Sequence, residues 1–191
     1  MSLTFRPATP ADIPPVLSLV RSAYRGESSR TGWTTEADLV ADDRISDESL
    51  LAKITDPNGA VILAFSTSNS GTSTPQSDSD ADRDPNLVAC CEVGRRDGDH
   101  AYFGLFAVSP ELQAAGIGRQ VLQRAEEHAK KEWGSRIMNM WVIWKREELI
   151  AWYVRRGYRI TGEKAPFPYD QLVNGNALRD DLYFEVLEKE L

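Results

Sequence analysis

LFAVSPELQAAGIGRQVLQRAEEHA, residues 105–129, joins an apolar run to an amphipathic one through a short loop with two glycines two residues apart. The apolar run reads as a strand ending at Val108. From Gly116 to Trp133 the pattern changes to a helix, with Ile117, Val121, Leu122, Ala125 and Ala129 on one face and Gln, Arg, Glu and Lys on the other. A helix that begins at a glycine-bearing loop offers unpaired backbone N–H groups and the positive end of its dipole. Glycine also removes side chains that would hold an anion away from those amides. Residues Gln113, Ala114, Ala115, Gly116, Ile117, Gly118 and Arg119 therefore form a candidate cradle for a pyrophosphate, with the Arg119 guanidinium beside it. The stretch is neither a dinucleotide fingerprint, since GxGxxG is absent, nor a nucleotide P-loop, since no GK[ST] follows.

Working outward, Leu87–Val93 and Ala101–Val108 read as strands joined by the polar turn GRRDGDH, and Ala60–Phe65 as another. Upstream, Leu3–Arg6 makes a short strand. Thr9, Pro10 and Asp12 form the start signal of a helix carrying Ile13, Val16, Leu17 and Val20. Helical pieces are expected over Thr35–Ala41 and after Ser46, and Asp56-Pro57-Asn58-Gly59 is a turn. Downstream come a strand at Ile137–Ile143, a short helix at Glu147–Arg155 closed by Gly157, a strand from Tyr158, a Pro/Gly loop, and a last strand near Leu182–Leu187. Antiparallel hairpins followed by a βαβ-like unit predict one mixed α/β domain over residues 1–191. Residues 66–86, STSNSGTSTPQSDSDADRDPN, have Ala81 as their only apolar residue. That composition predicts a disordered insertion between two strands.

Composition bounds the function. The chain has 191 residues, 41% of them hydrophobic, enough for one well-packed core. A formal net charge of −7 argues against nonspecific binding to nucleic acid or anionic membrane, and mildly favours a cationic partner. The two cysteines, Cys90 and Cys91, are adjacent on a strand and point to opposite faces, so they are expected to be reduced packing residues. No metal-ligand spacing surrounds them, so no metal is expected. The N-terminus carries no apolar signal segment and no run is long enough to span a bilayer. The expected compartment is the cytoplasm, with the nucleus also open, and the expected state is a monomer or a homodimer.

Two motifs carry a family resemblance. Gln113-Ala-Ala-Gly116-Ile-Gly118 is similar to the Q/R-x-x-G-x-G/A motif of the GNAT superfamily of N-acetyltransferases. ELIAWYVRRGY resembles its second signature through Trp152-Tyr153 and Gly157-Tyr158. The resemblance runs from the first strand to the last, apart from residues 66–86. It implies a mostly antiparallel, splayed sheet flanked by helices, in which a bulge parts the strand ending at Val108 from the one near Ile137. It further implies acetyl-CoA as donor, its pantetheine arm along the backbone of Phe106, Ala107 and Val108 and its pyrophosphate on Gln113 to Arg119. Where the family often has Asn and Ala, this chain has Arg146 and Leu149, which removes the usual side-chain contact to the arm at position 146.

Aminolysis of a thioester needs a neutral amine, a polarised carbonyl and a proton for the departing thiolate. By resemblance, Tyr153 is the candidate acid. Glu92, an acidic residue in the apolar run CCEVG, is the candidate base, with water or backbone groups as alternatives. The segment YRGESSRTGWTTEADL supplies Tyr24, Glu27, Trp33 and Glu36, rings and carboxylates able to hold an ammonium group. Phe167-Pro168-Tyr169-Asp170 is a candidate for the opposite wall. The expected reaction is transfer of acetyl to a small-molecule primary amine. A protein N-terminus as acceptor, a non-catalytic acyl-CoA sensor and a protein adaptor are the competing readings.

Overall fold

The computed structural model describes residues 2–67 and 86–191. Most of the insertion expected at residues 66–86 thus lies outside the described residues. The chain runs β1 (Leu3–Pro7), α1 (Ile13–Tyr24), α2 (Gly26–Ser29), β2 (Val40–Ala41), α3 (Asp47–Thr55), β3 (Gly59–Ser66), β4 (Leu87–Arg95), β5 (His100–Val108), α4 (Ile117–Trp133), β6 (Ile137–Ile143), α5 (Glu147–Val154), β7 (Arg159–Pro166), β8 (Asn176–Ala177) and β9 (Tyr183–Glu190). Seven strands form one sheet in the order β1-β3-β4-β5-β6-β9-β7, and β2 pairs with β8 apart from it. Every pairing in the large sheet is antiparallel except β5 with β6.

Two cores lie on the two faces. Under α4 and α5, Ile117, Val121, Leu122, Ala125 and Ala129 pack with Phe103, Met138, Met140, Tyr153 and Leu187. Each large apolar side chain so buried stabilises the fold by roughly 1.5–3 kcal/mol. On the other face Val16, Leu17 and Val20 of α1 and Leu50 of α3 meet Leu63, Leu105 and Ala107. The helix starts follow local chemistry. Thr9 and Asp12 make a capping box ahead of α1, and the Ser46 hydroxyl accepts the Ser49 amide at the start of α3. Cys91 belongs to the first core and Cys90 to the second, both free and buried.

The feature that positions the site is a divergence in the middle of the sheet. β5 pairs with β6 only over His100–Tyr102 against Ile137–Asn139. β5 then stays with β4 and β6 stays with β9, so the second half of β5 leaves a free edge facing a gap. The cause is a bulge: the β4–β5 register shifts between Cys90 and Glu92, and Leu105 sits at φ 43°. The bulge also exchanges faces. Phe103 lies in the α4 core, whereas Leu105 and Ala107, which strict alternation would place beside it, lie in the α1 core.

One expected element is not there. Thr35–Ala41 is a turn leading into β2, not a helix. The Thr35 hydroxyl accepts the Ala37 amide, the amides of Leu39 and Val40 share the Glu36 carbonyl, and the Glu36 side chain is drawn inward. Such local side-chain bonds compete with a helical ladder.

Candidate active site

Two cavities border the gap. The first, of about 330 Å³, lies where the loop before α4 meets α5, and is lined by Gly116, Gly118, Arg119, Trp152, Tyr153 and Arg156 among others. Ala114 and Gly116 both take left-handed backbone, φ 70° and 80°, which turns the chain sharply into α4. The amides of Ile117, Gly118 and Arg119 then open the helix with no carbonyl of their own helix to bond. Gly118 serves packing as well: a Cβ there would stand 3.2 Å from the Phe106 ring and 3.5 Å from Trp152.

Arg119, Arg155 and Arg156 crowd this mouth, and none has a carboxylate partner among the described residues. The Arg156 guanidinium lies over the Trp152 ring at 3.5 Å, with its Nε buried and unbonded. Burial, with Arg155 and Arg119 nearby, lowers its pKa from the ordinary value. Three uncompensated cations around free helix amides form a site for a polyanion. The paired arginines were readable in VRRGY, but not their convergence with Arg119.

The second cavity, of about 260 Å³, is lined by Arg25, Glu36, Asp42, Arg44, Lys53 and Glu92 beside a wall that includes Tyr102, Phe167 and Phe184. A throat of about 60 Å³, lined by Tyr24, Arg44, Phe106, Arg146, Tyr153 and others, shares residues with both.

Tyr153 lies in the throat and on the first cavity, only 3% exposed, its ring held edge-on by Phe103, Trp152 and Tyr158. Its hydroxyl has no hydrogen-bond partner among the described residues. Burial pushes its pKa well above 10, so it is a neutral phenol at physiological pH. Tyr24 is buried opposite, and its hydroxyl donates to the Phe106 carbonyl at 2.8 Å. Gln113 Nε2 reaches the Val108 carbonyl at 3.4 Å, and Gln113 Oε1 accepts the Trp33 amide. Part of the Phe106–Val108 edge expected to face a pantetheine arm is thus satisfied from within the protein.

The expected ammonium site does not assemble. Glu27 is an exposed carboxylate paired with Arg30 and lines neither cavity. Trp33 lies on the first cavity, not the second. Glu36 is buried, but its oxygens are taken by Arg25 at 2.7 Å and Arg146 at 2.5 Å. Burial alone would raise its pKa; Arg146, Arg44 and Arg25 outweigh it and hold Glu36 at about 2. The cause lies far off in sequence, since Arg146, the departure from the family pattern, comes from the start of α5. Glu92 does face the second cavity, with both its oxygens 2.8 Å from Lys53 Nζ. The cysteines offer no nucleophile, as burial pushes Cys90 up to about 12 and Cys91 well above its ordinary value.

Residues 46–158 match the Acetyltransferase (GNAT) family. The chain belongs to that family. It is accordingly an acyl-CoA-dependent N-acetyltransferase, with acetyl-CoA as donor. Among solved structures it is similar to PaiA N-acetyltransferase from Thermoplasma acidophilum in complex with coenzyme A, at 18% identity over 100% of each chain and a TM-score of 0.64. An IAA acetyltransferase from Bacillus cereus gives 19% identity, 100% of each chain and 0.62. The ribosomal-protein-S18-alanine N-acetyltransferase from Escherichia coli gives 13%, over 99% of this chain and 94% of that one, and 0.64. These likenesses are of fold. No curated protein matches. Among the described residues no group of three or more His, Cys, Asp or Glu side chains could hold a metal, and no helix is long and apolar enough to cross a membrane.

Proposed function

We propose that this acetyltransferase acts on a primary amine of a small molecule, by direct attack with donor and acceptor bound together. The observation that carries the reading is a pair of cavities, each sharing lining residues with one throat that contains Tyr153. At the first cavity, the amides of Gln113 to Arg119 with Arg119, Arg155 and Arg156 would hold the phosphates of acetyl-CoA, and its arm would lie along the Phe106–Val108 edge, two of whose carbonyls Tyr24 and Gln113 already hold. Acetyl-CoA supplies the acyl group already activated as a thioester.

The protein's own part is to orient, exclude water and move two protons. A buried phenol with no hydrogen-bond partner among the described residues is free to donate its proton to a thiolate as charge builds there, and Tyr153 is that phenol. For the amine's proton, Glu92 is the better placed of the carboxylates facing the second cavity. Among the described residues it has Lys53 as its one cation partner, whereas Asp42 is held by Arg25 and the Val173 amide, and Glu36 is fixed by two arginines with its pKa held at about 2. No acyl-enzyme step is needed, and the buried thiols offer none. Support for a small acceptor over a peptide comes from the second cavity, which is walled by the Phe167–Pro168 turn and filled by paired charges rather than lying along an open groove.

The test is a thiol-release screen with acetyl-CoA against amino acids, polyamines, aminosugars, arylalkylamines and peptides, with products identified by mass spectrometry. Turnover of small amines is expected. Turnover confined to peptides would overturn the acceptor class, and acetyl-CoA binding with no acceptor in any group would point to the sensor reading.

A further inference from the structure

The second cavity is lined by three carboxylates and three cations, and a fourth cation, Arg146, reaches Glu36 from the throat. Glu36 accepts from Arg25 and Arg146, Asp42 accepts from Arg25 at 2.7 Å and from the Val173 amide, and Glu92 holds Lys53. Arg44 is thus the one lining cation with no carboxylate in hydrogen-bond contact among the described residues, its charge acting on Glu36 only through space. Among the described residues it makes no hydrogen bond or ion pair, its Nε is buried and unbonded, and its guanidinium rests over the Tyr24 ring at 4.9 Å. The backbone holds it there under strain. Arg44 sits at φ 67°, a conformation rare for a non-glycine residue, between Asp43, whose amide bonds the Val173 carbonyl, and the buried Ile45.

We propose that Arg44 binds the carboxylate of the acceptor, so that the acceptor is an amino acid, an amine carrying its own carboxylate, rather than a simple amine or polyamine. A half-buried guanidinium with unused donors is matched by a carboxylate, which accepts two parallel N–H bonds. A polyamine would meet the opposite situation, since every carboxylate of the cavity already has a cation. Arg44 also borders the throat as well as the cavity, so a ligand anchored on it extends toward Tyr153. The adjoining wall is aromatic: Trp141, half exposed, stacks on Phe184 and meets Tyr102 edge-on. An apolar side chain on the amino acid fits that wall. The acidic net charge of the chain, which by itself favours a cationic partner, is not repeated inside the cavity.

The assignment rests on the small-molecule reading above, and matched acceptors separate the two. L-Phenylalanine, L-phenylalaninamide and phenethylamine would be compared as acceptors in kcat/KM. Their binding to the wild-type protein saturated with CoA would be measured by calorimetry. The acid should be preferred over the amide by at least about tenfold in both measurements, as expected for a charge-assisted pair. In Arg44→Met that ratio should fall to near one, and Arg44→Lys should restore part of it, with the affinity for CoA measured alongside. Transfer to all three without preference in the wild type would overturn this inference and leave the small-amine reading standing, and it requires no variant to fold. A ratio unchanged in a folded Arg44→Met would overturn it equally. Absence of transfer to any small amine in the wider screen would overturn both.

Discussion

Tyr153→Phe separates packing from chemistry. The ring is 3% exposed and is held by Phe103, Trp152 and Tyr158 at centroid distances of 6.4, 5.0 and 5.8 Å, contacts that phenylalanine keeps. The hydroxyl has no partner among the described residues, so its removal breaks no internal hydrogen bond. The cost to stability should therefore stay within about 0.5 kcal/mol, about 1–2 °C in Tm for a chain of this size. The rate should respond very differently. General acid catalysis contributes roughly 10²–10⁴-fold, or about 2.7–5.4 kcal/mol of barrier at 1.36 kcal/mol per decade. The assay is pre-steady-state acetyl transfer, with acetyl-CoA affinity measured separately and expected to change little. Because burial keeps the phenol neutral well above pH 10, the ratio of wild-type to variant rates should be flat from about pH 6 to 9. A wild-type rate in a folded Tyr153→Phe would refute the assignment and leave Tyr153 as a packing residue.

Other consequences follow from the same geometry. Glu36→Gln leaves Arg25 and Arg146 buried without their shared anion, and should cost about 3–5 kcal/mol in urea unfolding. The folded pKa of Glu36, about 2, lies below its ordinary 4.5, so its contribution to stability is complete above the ordinary value and is lost as pH falls toward 2. The variant's stability should accordingly fall less than the wild type's across that window, and equal slopes would contradict the pairing. Arg155→Ala removes a cation that makes no side-chain bond among the described residues, so the fold should be unaffected while CoA affinity drops about tenfold at low salt. That difference should shrink near 1 M salt, where the Debye length is about 3 Å. Glu92→Gln should lower the rate of acetyl transfer roughly 10²-fold or more, whereas an unchanged rate would transfer the base role to water.

How far these features were legible from sequence depends on how local their causes are. Helix α4 was readable because Ile117, Val121, Leu122, Ala125 and Ala129 repeat at helical spacing, and all five are buried. The opposite facing of Cys90 and Cys91 followed from strand alternation alone. The same alternation misplaces Leu105 and Ala107, because a bulge is a property of two strands in register. The divergence of β5 from β6 was reached only through the family motifs. Thr35–Ala41 reads as helical in the sequence because β2 finds its partner β8 more than a hundred residues on, beyond any local signal. The charges of the second cavity show the same limit of local reading. Glu36 looked like a free carboxylate near aromatics until Arg146 arrived from α5, and Arg44 carries no mark in the sequence at all.

The central claim, that the loop opening α4 and the gap beside β5 hold acetyl-CoA, is tested most directly by calorimetric titration of the wild type and of Gly118→Asp with acetyl-CoA. A side chain at position 118 must displace the Phe106 ring by a few tenths of an ångström and brings a negative charge to the cavity of Arg119 and Arg156. The wild type should bind with one-to-one stoichiometry. The variant, shown by circular dichroism to be folded, should bind far more weakly. Equal affinity in two folded proteins would contradict the placement of the donor.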